Sequence, residues 1–354
     1  MEKKKEAVTI KEVAARAGVS WATASRALSG AGYASPETRR RVQQAAVELG
    51  YKPHASARSL KLRRTNIVGL MIADIVNPFY SYLADGLLDC AKRLGYHVML
   101  CATDEDPAME REYLEVLMEN RVDGIVAVPT GDNLGLWREA LDLGVRLVLV
   151  DREIAGLGEA DVVLVDNEKG AHEATAHLLH LGHRRIGIVT GPTSTTTGNG
   201  RLQGYYQAFR AANVPIDDHL VQIGDFKRES GFQGAQRLLS LDDPPTAVFA
   251  ANNVLGEAAL FAIRERGLRI PEDISFIHFD DVPWASLTHP RMSVVAQPAY
   301  SLGFVGMERL VQRLREGQEA AHPPIRTVLQ PELVIRESCG VCRRQGPAAV
   351  HPQQ

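Results

Sequence analysis

The sequence predicts a two-lobed α/β core preceded by a small all-α head. Three observations carry this. From Asn66 onward, short apolar runs alternate with amphipathic helical stretches, the pattern of parallel sheets covered by helices. Those runs end repeatedly in residues that carry hydroxyl, amide or carboxylate groups. The charge is also divided: residues 1–66 hold 14 Lys/Arg against 5 Asp/Glu, whereas residues 67–354 hold 26 against 38. A basic head suits a polyanion and an acidic body repels one, although the whole chain sums to only −3.

The head comes first in the chain. Thr9 and Glu12 form a capping box, so a helix starts near Ile10, with Val13, Ala14 and Ala17 inward. Gly18 ends it. Ser20 caps a second helix, Trp21–Ser29. Ser35, with Pro36 at the first helical position, opens a third, on which Val42, Ala45, Ala46 and Leu49 recur at helical spacing until Gly50. Three short helices with a small-residue turn between the first two follow the helix-turn-helix plan. Residues 51–65, YKPHASARSLKLRRT, form a basic linker in which Ala55–Lys61 suits a helix too short to be stable alone.

In the core the apolar runs are Ile67–Ala73, Val98–Ala102, Gly124–Val128, Leu147–Val150, Val162–Val165, Ile186–Thr190, Ala247–Ala250 and Ile274–Phe279. Helical stretches such as Tyr80–Leu94, Met109–Glu119, Lys169–Leu181 and Gly256–Arg266 lie between them. The runs finish in Asp74, Thr103, Asp151, Asp166–Asn167, Asn252 and Asp280. Ligands of open α/β sheets bind beyond the carboxyl ends of the strands, so these groups gather where a small polar ligand would sit. Eight or so strands divide more naturally into two lobes than one.

Other classes lack their signatures. The segment after the first core strand reads DIVNPFY, not the G-x-G-x-x-G of a dinucleotide enzyme, and no G-x-S-x-G occurs. No cofactor, metal or catalytic residue is expected. His177 and His180 share a helix face, but His183 falls at its end and no acidic partner completes a metal set. Four cysteines make no disulfide framework, and the Cys339/Cys342 pair reads as reduced tail thiols. The start lacks a secretory signal and no apolar run nears the about 18 residues of a membrane span, so a cytoplasmic location without membrane contact is expected. An extracytoplasmic solute-binding protein would share the core but lack the basic head.

The chain resembles the lactose/galactose-repressor family of bacterial transcription regulators from about Val8 to Cys339. The resemblance rests on VTIKEVAARAGVSWATASRALSG, PHASARSL, NPFY (77–80), ATDEDP (102–107), NRVDGIVAVP (120–129), LGHRRIGIVTGP (181–192), TAVFAANN (246–253), PEDISFIHFDDVPWASL (271–287) and PELVIRESC (331–339). It implies a homodimer on a pseudo-palindromic double-stranded operator, repression controlled by a small effector, and a periplasmic-binding-protein-like core crossed three times by the chain. It also implies a hinge helix in the DNA minor groove. The expected divisions are a helix-turn-helix domain at 1–55, a hinge at 56–65, a core at 66–338 and a tail at 339–354. Within the core, one lobe takes 66–166 and 297–327 and the other 167–296 and 328–338. The tail shows no leucine heptads, so a dimer is expected rather than a tetramer.

On the second helix, Trp21, Ala22, Ser25 and Arg26 face away from the inward Ala24, Ala27 and Leu28. The resemblance places Trp21, Ala22 and Arg26 against bases. Arg26 suits a paired contact to guanine O6 and N7, with a phosphate contact as the alternative. Ala22, where other members carry a polar residue, offers only a methyl. Thr9, Ser20, Thr23 and Ser25 complete the DNA-facing set, Thr23 and Ser25 toward phosphate. In the linker, Leu60 is the expected minor-groove wedge, flanked by Ala57, Arg58 and Lys61. His54 stands where many members have Asn or Ser.

For the effector, the resemblance points to Phe79, Tyr80, Asp151, Thr197, Arg201, Phe226, Asn252 and Asp280. These supply what a neutral sugar needs: carboxylates for paired hydroxyls, a fixed guanidinium and aromatic faces. Capping for Asp280 and core packing for the aromatics are the alternative roles. Arg152, Lys227 and Arg228 leave a sugar acid or phosphosugar open. TGNGR (197–201) also resembles purine-binding members, but Thr195 replaces an arginine associated with that subgroup, so a sugar is expected over a nucleobase. Asn253 falls where the family often has Asp.

Overall fold

The computed structural model describes residues 8–29, 33–51, 65–316 and 323–343. Contacts divide the chain into residues 1–65 and 66–354. Within the first unit lie α1 (Ile10–Ala17), α2 (Trp21–Ser29) and α3 (Pro36–Glu48). The capping box forms: the Glu12 amide donates to Thr9 Oγ1 at 3.4 Å, and the Thr9 amide to Glu12 Oε2 at 2.6 Å. Gly18 closes α1 at φ 64°, a left-handed backbone that glycine adopts without a Cβ penalty. Ser20 Oγ accepts from the Thr23 amide at 3.2 Å, and Ser35 Oγ from the Thr38 amide at 3.2 Å. Val13, Ala14, Ala17, Ala24, Ala27, Val42, Ala45 and Ala46 bury together. Six of these eight are alanine, so the helices pack closely around little volume.

The second unit holds two six-stranded sheets. The first orders its strands β11-β5-β4-β3-β1-β2, all parallel: β1 (Ile67–Ile72), β2 (His97–Ala102), β3 (Gly124–Ala127), β4 (Arg146–Val150), β5 (Asp161–Val165) and β11 (Arg326–Leu329). The second runs β12-β10-β9-β8-β6-β7, built from β6 (Ile186–Thr190), β7 (Val221–Ile223), β8 (Ala247–Ala250), β9 (Ser275–Phe279), β10 (Ser293–Ala296) and β12 (Glu332–Val334), with only β10–β12 antiparallel. The covering helices are α4 (Pro78–Leu94), α5 (Pro107–Glu119), α6 (Leu134–Asp142), α7 (Asn167–His180), α8 (Thr196–Ala211), α9 (Arg228–Leu239), α10 (Asn253–Glu265), the short α11 (Pro283–Leu287) and α12 (Ala299–Glu316). Central strands β3, β5, β6, β8 and β9 are buried along their length, as parallel strands covered on both faces must be.

The chain passes between the sheets three times, after β5, after β10 and after β11. The last passage corrects the expected lobe limit at 327/328. Val328 and Leu329 pair with Leu164 and Val165, so the crossing falls at Gln330–Pro331. The tail limit at 338/339 also moves. Ser275 Oγ accepts from the Gly340 amide at 3.0 Å, and Leu181 O from the Cys342 amide at 2.8 Å, which ties 339–342 to the second lobe. His183 is used in the same place, its ring nitrogens 2.8 Å from Thr246 Oγ1 and 3.0 Å from Gly340 O.

Candidate ligand cleft and DNA-facing helix

The polar ends of β1, β4, β8 and β9 converge with the starts of α4, α8 and α10 on a cleft of about 390 Å³ between the two sheets. All eight effector residues expected from the sequence line it: Phe79, Tyr80, Asp151, Thr197, Arg201, Phe226, Asn252 and Asp280. Thr103 and Asp166, at the ends of two other runs, do not: Thr103 Oγ1 turns back to Ile72 O, and Asp166 caps α7. Of the nine non-glycine residues with positive φ among the described residues, Asp104, Glu105, Asp151, Phe226 and Asp280 all line the cleft. Left-handed backbone is costly for such residues and collects where the fold must aim side chains.

The buried groups are held in a fixed pattern. Arg152 makes a two-pronged pair with Glu105 at 2.6 and 2.7 Å, donates to Tyr80 Oη at 3.2 Å and lies over the Phe226 ring at 5.3 Å. Arg201 is clamped on the other side. Its Nε donates to Asn167 Oδ1 at 2.7 Å, its Nη1 to Ala251 O, and its guanidinium lies 4.1 Å from the Phe279 ring centre. Asn252 Oδ1 caps α10 through the Leu255 amide at 2.7 Å. Phe79 and Tyr80 meet edge to face at 5.0 Å and also belong to the first lobe's core, so packing and lining are one role for them.

The two central carboxylates differ. Asp280 Oδ2 accepts from the Asn253 amide at 3.1 Å and from Asn253 Nδ2 at 3.0 Å, and its Oδ1 accepts from Gln297 Nε2. A carboxylate has about four acceptor sites. Three are filled by protein, so Asp280 has room for about one ligand hydroxyl, not the pair that a strand-end carboxylate suggests from sequence. Asp151 is only 3% exposed and its Oδ1 has no hydrogen-bond partner among the described residues. Burial raises its pKa to about 6, against the pull of Arg152 and Arg201. An unsatisfied buried acceptor is costly unless a ligand or water completes it.

Charge across the cleft is balanced toward negative. Asp74, Asp104, Glu105, Asp151, Glu257 and Asp280 face Arg152, Arg201, Lys227 and Arg228. Three of those cations already have carboxylate partners: Arg152 with Glu105, Lys227 with Asp104 at 3.7 Å, and Arg228 with Glu257. Sequence reasoning missed Asn77, Asn253, Trp284 and Gln297 as lining residues. The first three lie inside motifs singled out above, but residue type alone did not separate them from caps and core.

On the head, Ala24 and Ala27 are buried, while Trp21 is 58% exposed and Arg26 is exposed beside half-buried Ala22, Thr23 and Ser25. Thr9 and Ser20 are exposed but already used as caps. Ala57, Arg58, Leu60 and Lys61, with His54, lie outside the described residues.

A helix-turn-helix head and a two-sheet core with a polar interlobe cleft define a ligand-responsive DNA-binding regulator. Residues 9–54 match the family model for bacterial regulatory proteins of the lacI family, and residues 175–339 match that for a periplasmic binding protein-like domain. The HTH-type transcriptional regulator DegA of Bacillus subtilis is 38% identical over 93% of this chain and 97% of its own. The ribose operon repressor of Haemophilus influenzae is 35% identical over 93% and 98%. Among solved structures, the lac repressor dimer bound to operator and the anti-inducer ONPF aligns with a TM-score of 0.81 at 27% identity, covering 95% of this chain and all of that one. The transcriptional regulator CelR in complex with cellobiose aligns at 0.72 and 33% identity, covering 94% and 99%. The chain belongs to the lacI family of transcriptional regulators and carries that family's DNA-binding domain.

Proposed function

We propose that this regulator binds a pseudo-palindromic operator as a homodimer and that a neutral sugar in the cleft controls that binding. The observation that carries the sugar assignment is the charge pairing of the cleft. Three of its four cations are spent on carboxylates, and carboxylates outnumber cations by six to four. A phosphate or carboxylate ligand would enter a negative field, whereas hydroxyls find acceptors in Asp151 and Asp280, a donor in Arg201 and aromatic faces in Tyr80, Phe226 and Trp284. Relatives with a sugar in their names, the ribose operon repressor and the cellobiose complex, support the same class. On the DNA side, the reading is supported by the exposed Trp21–Arg26 face and the basic surplus of the head. Leu60 is proposed as the minor-groove wedge on sequence grounds alone.

A thermal-shift screen of neutral sugars, sugar acids and nucleobases tests the assignment, because a ligand of the folded state raises its apparent stability. Stabilisation by neutral mono- or disaccharides is expected. Stabilisation by sugar acids or nucleobases alone would overturn the sugar class.

A further inference from the structure

Within the cleft lining, a buried side-chain hydrogen bond joins the two lobes. Asn253, the first residue of α10 in the second lobe, donates from Nδ2 to Asn77 Oδ1 of the first lobe at 2.8 Å and to Asp280 Oδ2 of its own lobe at 3.0 Å. The three residues are 3%, 7% and 4% exposed. The direction of these bonds is fixed by their partners. Asn77 Oδ1 is held as an acceptor because it also caps α4 through the Phe79 amide at 3.0 Å, and a carboxylate oxygen only accepts. The amide NH₂ has two hydrogens, and each goes to a different lobe.

We infer that Asn253 is a positioning residue that latches the lobes together, with its second hydrogen tying the latch to Asp280. The link to ligand rests on the proposed effector role of Asp280; the latch itself does not. With a carboxylate at 253, three acceptor oxygens would converge with no hydrogen between them. The same convergence gives each lobe a reason to separate, since the buried acceptors would then need water. A ligand hydroxyl that adds to Asp280 leaves the latch in place and lengthens the row of groups holding the lobes together.

Two matched substitutions test this. Asn253→Asp and Asn77→Asp are both isosteric, both add one negative charge, and both place it at a helix N-terminus, where the dipole favours it. They sit at opposite ends of one hydrogen bond, and only the first removes the donor. Spin labels attached through non-cysteine handles at exposed Glu112 on α5 and Glu229 on α9 report the lobe-to-lobe distance in ligand-free protein. The wild type and Asn77→Asp should show one short distance. Asn253→Asp should lower the closed-to-open ratio by about ten-fold or more, as loss of a buried bond with two acceptors left facing each other implies. Equal distributions for the two variants, or a wild type already open, would overturn the latch. Titration of D-ribose and cellobiose into the wild type reads the effector assignment separately. If neither binds while the two variants still differ as described, the latch stands and the sugar reading is what fails.

Discussion

Asp151 and Asp280 are both buried aspartates at strand ends with φ near +70°, yet the protein treats them oppositely. Asp280 is fixed by three donors, so Asp280→Asn would turn an amide N–H toward at least one of them. That substitution should cost about 1–3 kcal/mol of stability as well as sugar affinity, read by denaturant unfolding beside calorimetry; unchanged stability would mean the three bonds carry no weight. Asp151 is the cleaner probe. Its carboxyl titrates near 6 when folded against an ordinary value of 3.8, so the folded state holds the proton more tightly. Stability from this group is therefore full below about pH 3.8 and is lost as pH rises through about 6. Above that, Asp151→Asn should be more stable than wild type by about 3 kcal/mol in the absence of ligand. His278 acts in the opposite direction, because burial lowers its pKa to about 4. Its contribution is lost as pH falls from about 6.5 toward 4, so in that window the Asp151→Asn variant should show a steeper acid loss than the wild type. A sugar hydroxyl donating to Asp151 Oδ1 is held more strongly by the ionised form. Affinity should therefore rise with pH through about 6 in the wild type and stay flat in Asp151→Asn; a flat wild-type profile would remove Asp151 from the contact. On the head, Arg26→Ala should cost about 1–3 kcal/mol of specific binding and relax one position in each half-site. Sites selected from random duplexes would show it, and an unchanged motif with uniformly weaker binding would make Arg26 a phosphate contact.

At the scale of elements, the first lobe depends on two helices crossing with their backbones in contact. A Cβ at Gly303 of α12 would lie 1.8 Å from Leu83 O, and one at Gly86 of α4 would lie 2.0 Å from Tyr300 O. Gly303→Ala should therefore lower stability by about 3 kcal/mol, toward or past the usual limit for overpacking, because backbone cannot give way as a side chain can. Chemical denaturation measures this, and a loss under about 0.5 kcal/mol, the range of ordinary surface changes, would show that the helices slide apart freely. Elements like these differ in how plainly the sequence displays them. Eight strands were legible as apolar runs: seven are central strands whose burial on both faces makes the run continuous, and the eighth, β2, is an edge strand that is apolar in sequence though largely half-buried or exposed. Strands β7, β10, β11 and β12 were not: β7, β11 and β12 are short edge strands that mix exposed and half-buried positions, as in Arg326–Leu329, and β10, though buried, offers only the short apolar stretch Val294–Ala296. The cleft-lining residues Asp151, Asn252 and Asp280 were legible because strand ends put them in one crevice. Asn253 and Gln297 were not, because nothing in their residue type tells a bridge from a helix start or a loop. Distances decide that, and they arise only when both lobes are present.

The whole molecule pairs a head of surplus positive charge with an acidic core. That division predicts operator affinity that falls steeply with salt, as bound phosphates exchange for released counterions. Among the described residues no helix is long and apolar enough to cross a membrane. The central claim joins the two halves: a neutral sugar in the cleft changes the grip of the head. It is tested most directly by selecting a duplex with the full-length protein and titrating that duplex at fixed salt, with and without the best sugar from the thermal-shift screen. The account predicts that a saturating sugar shifts operator affinity by at least about five-fold, the lower range of coupling between linked sites, and that the shift disappears in Asp151→Asn. A sugar that binds the cleft yet leaves operator affinity unchanged would contradict it.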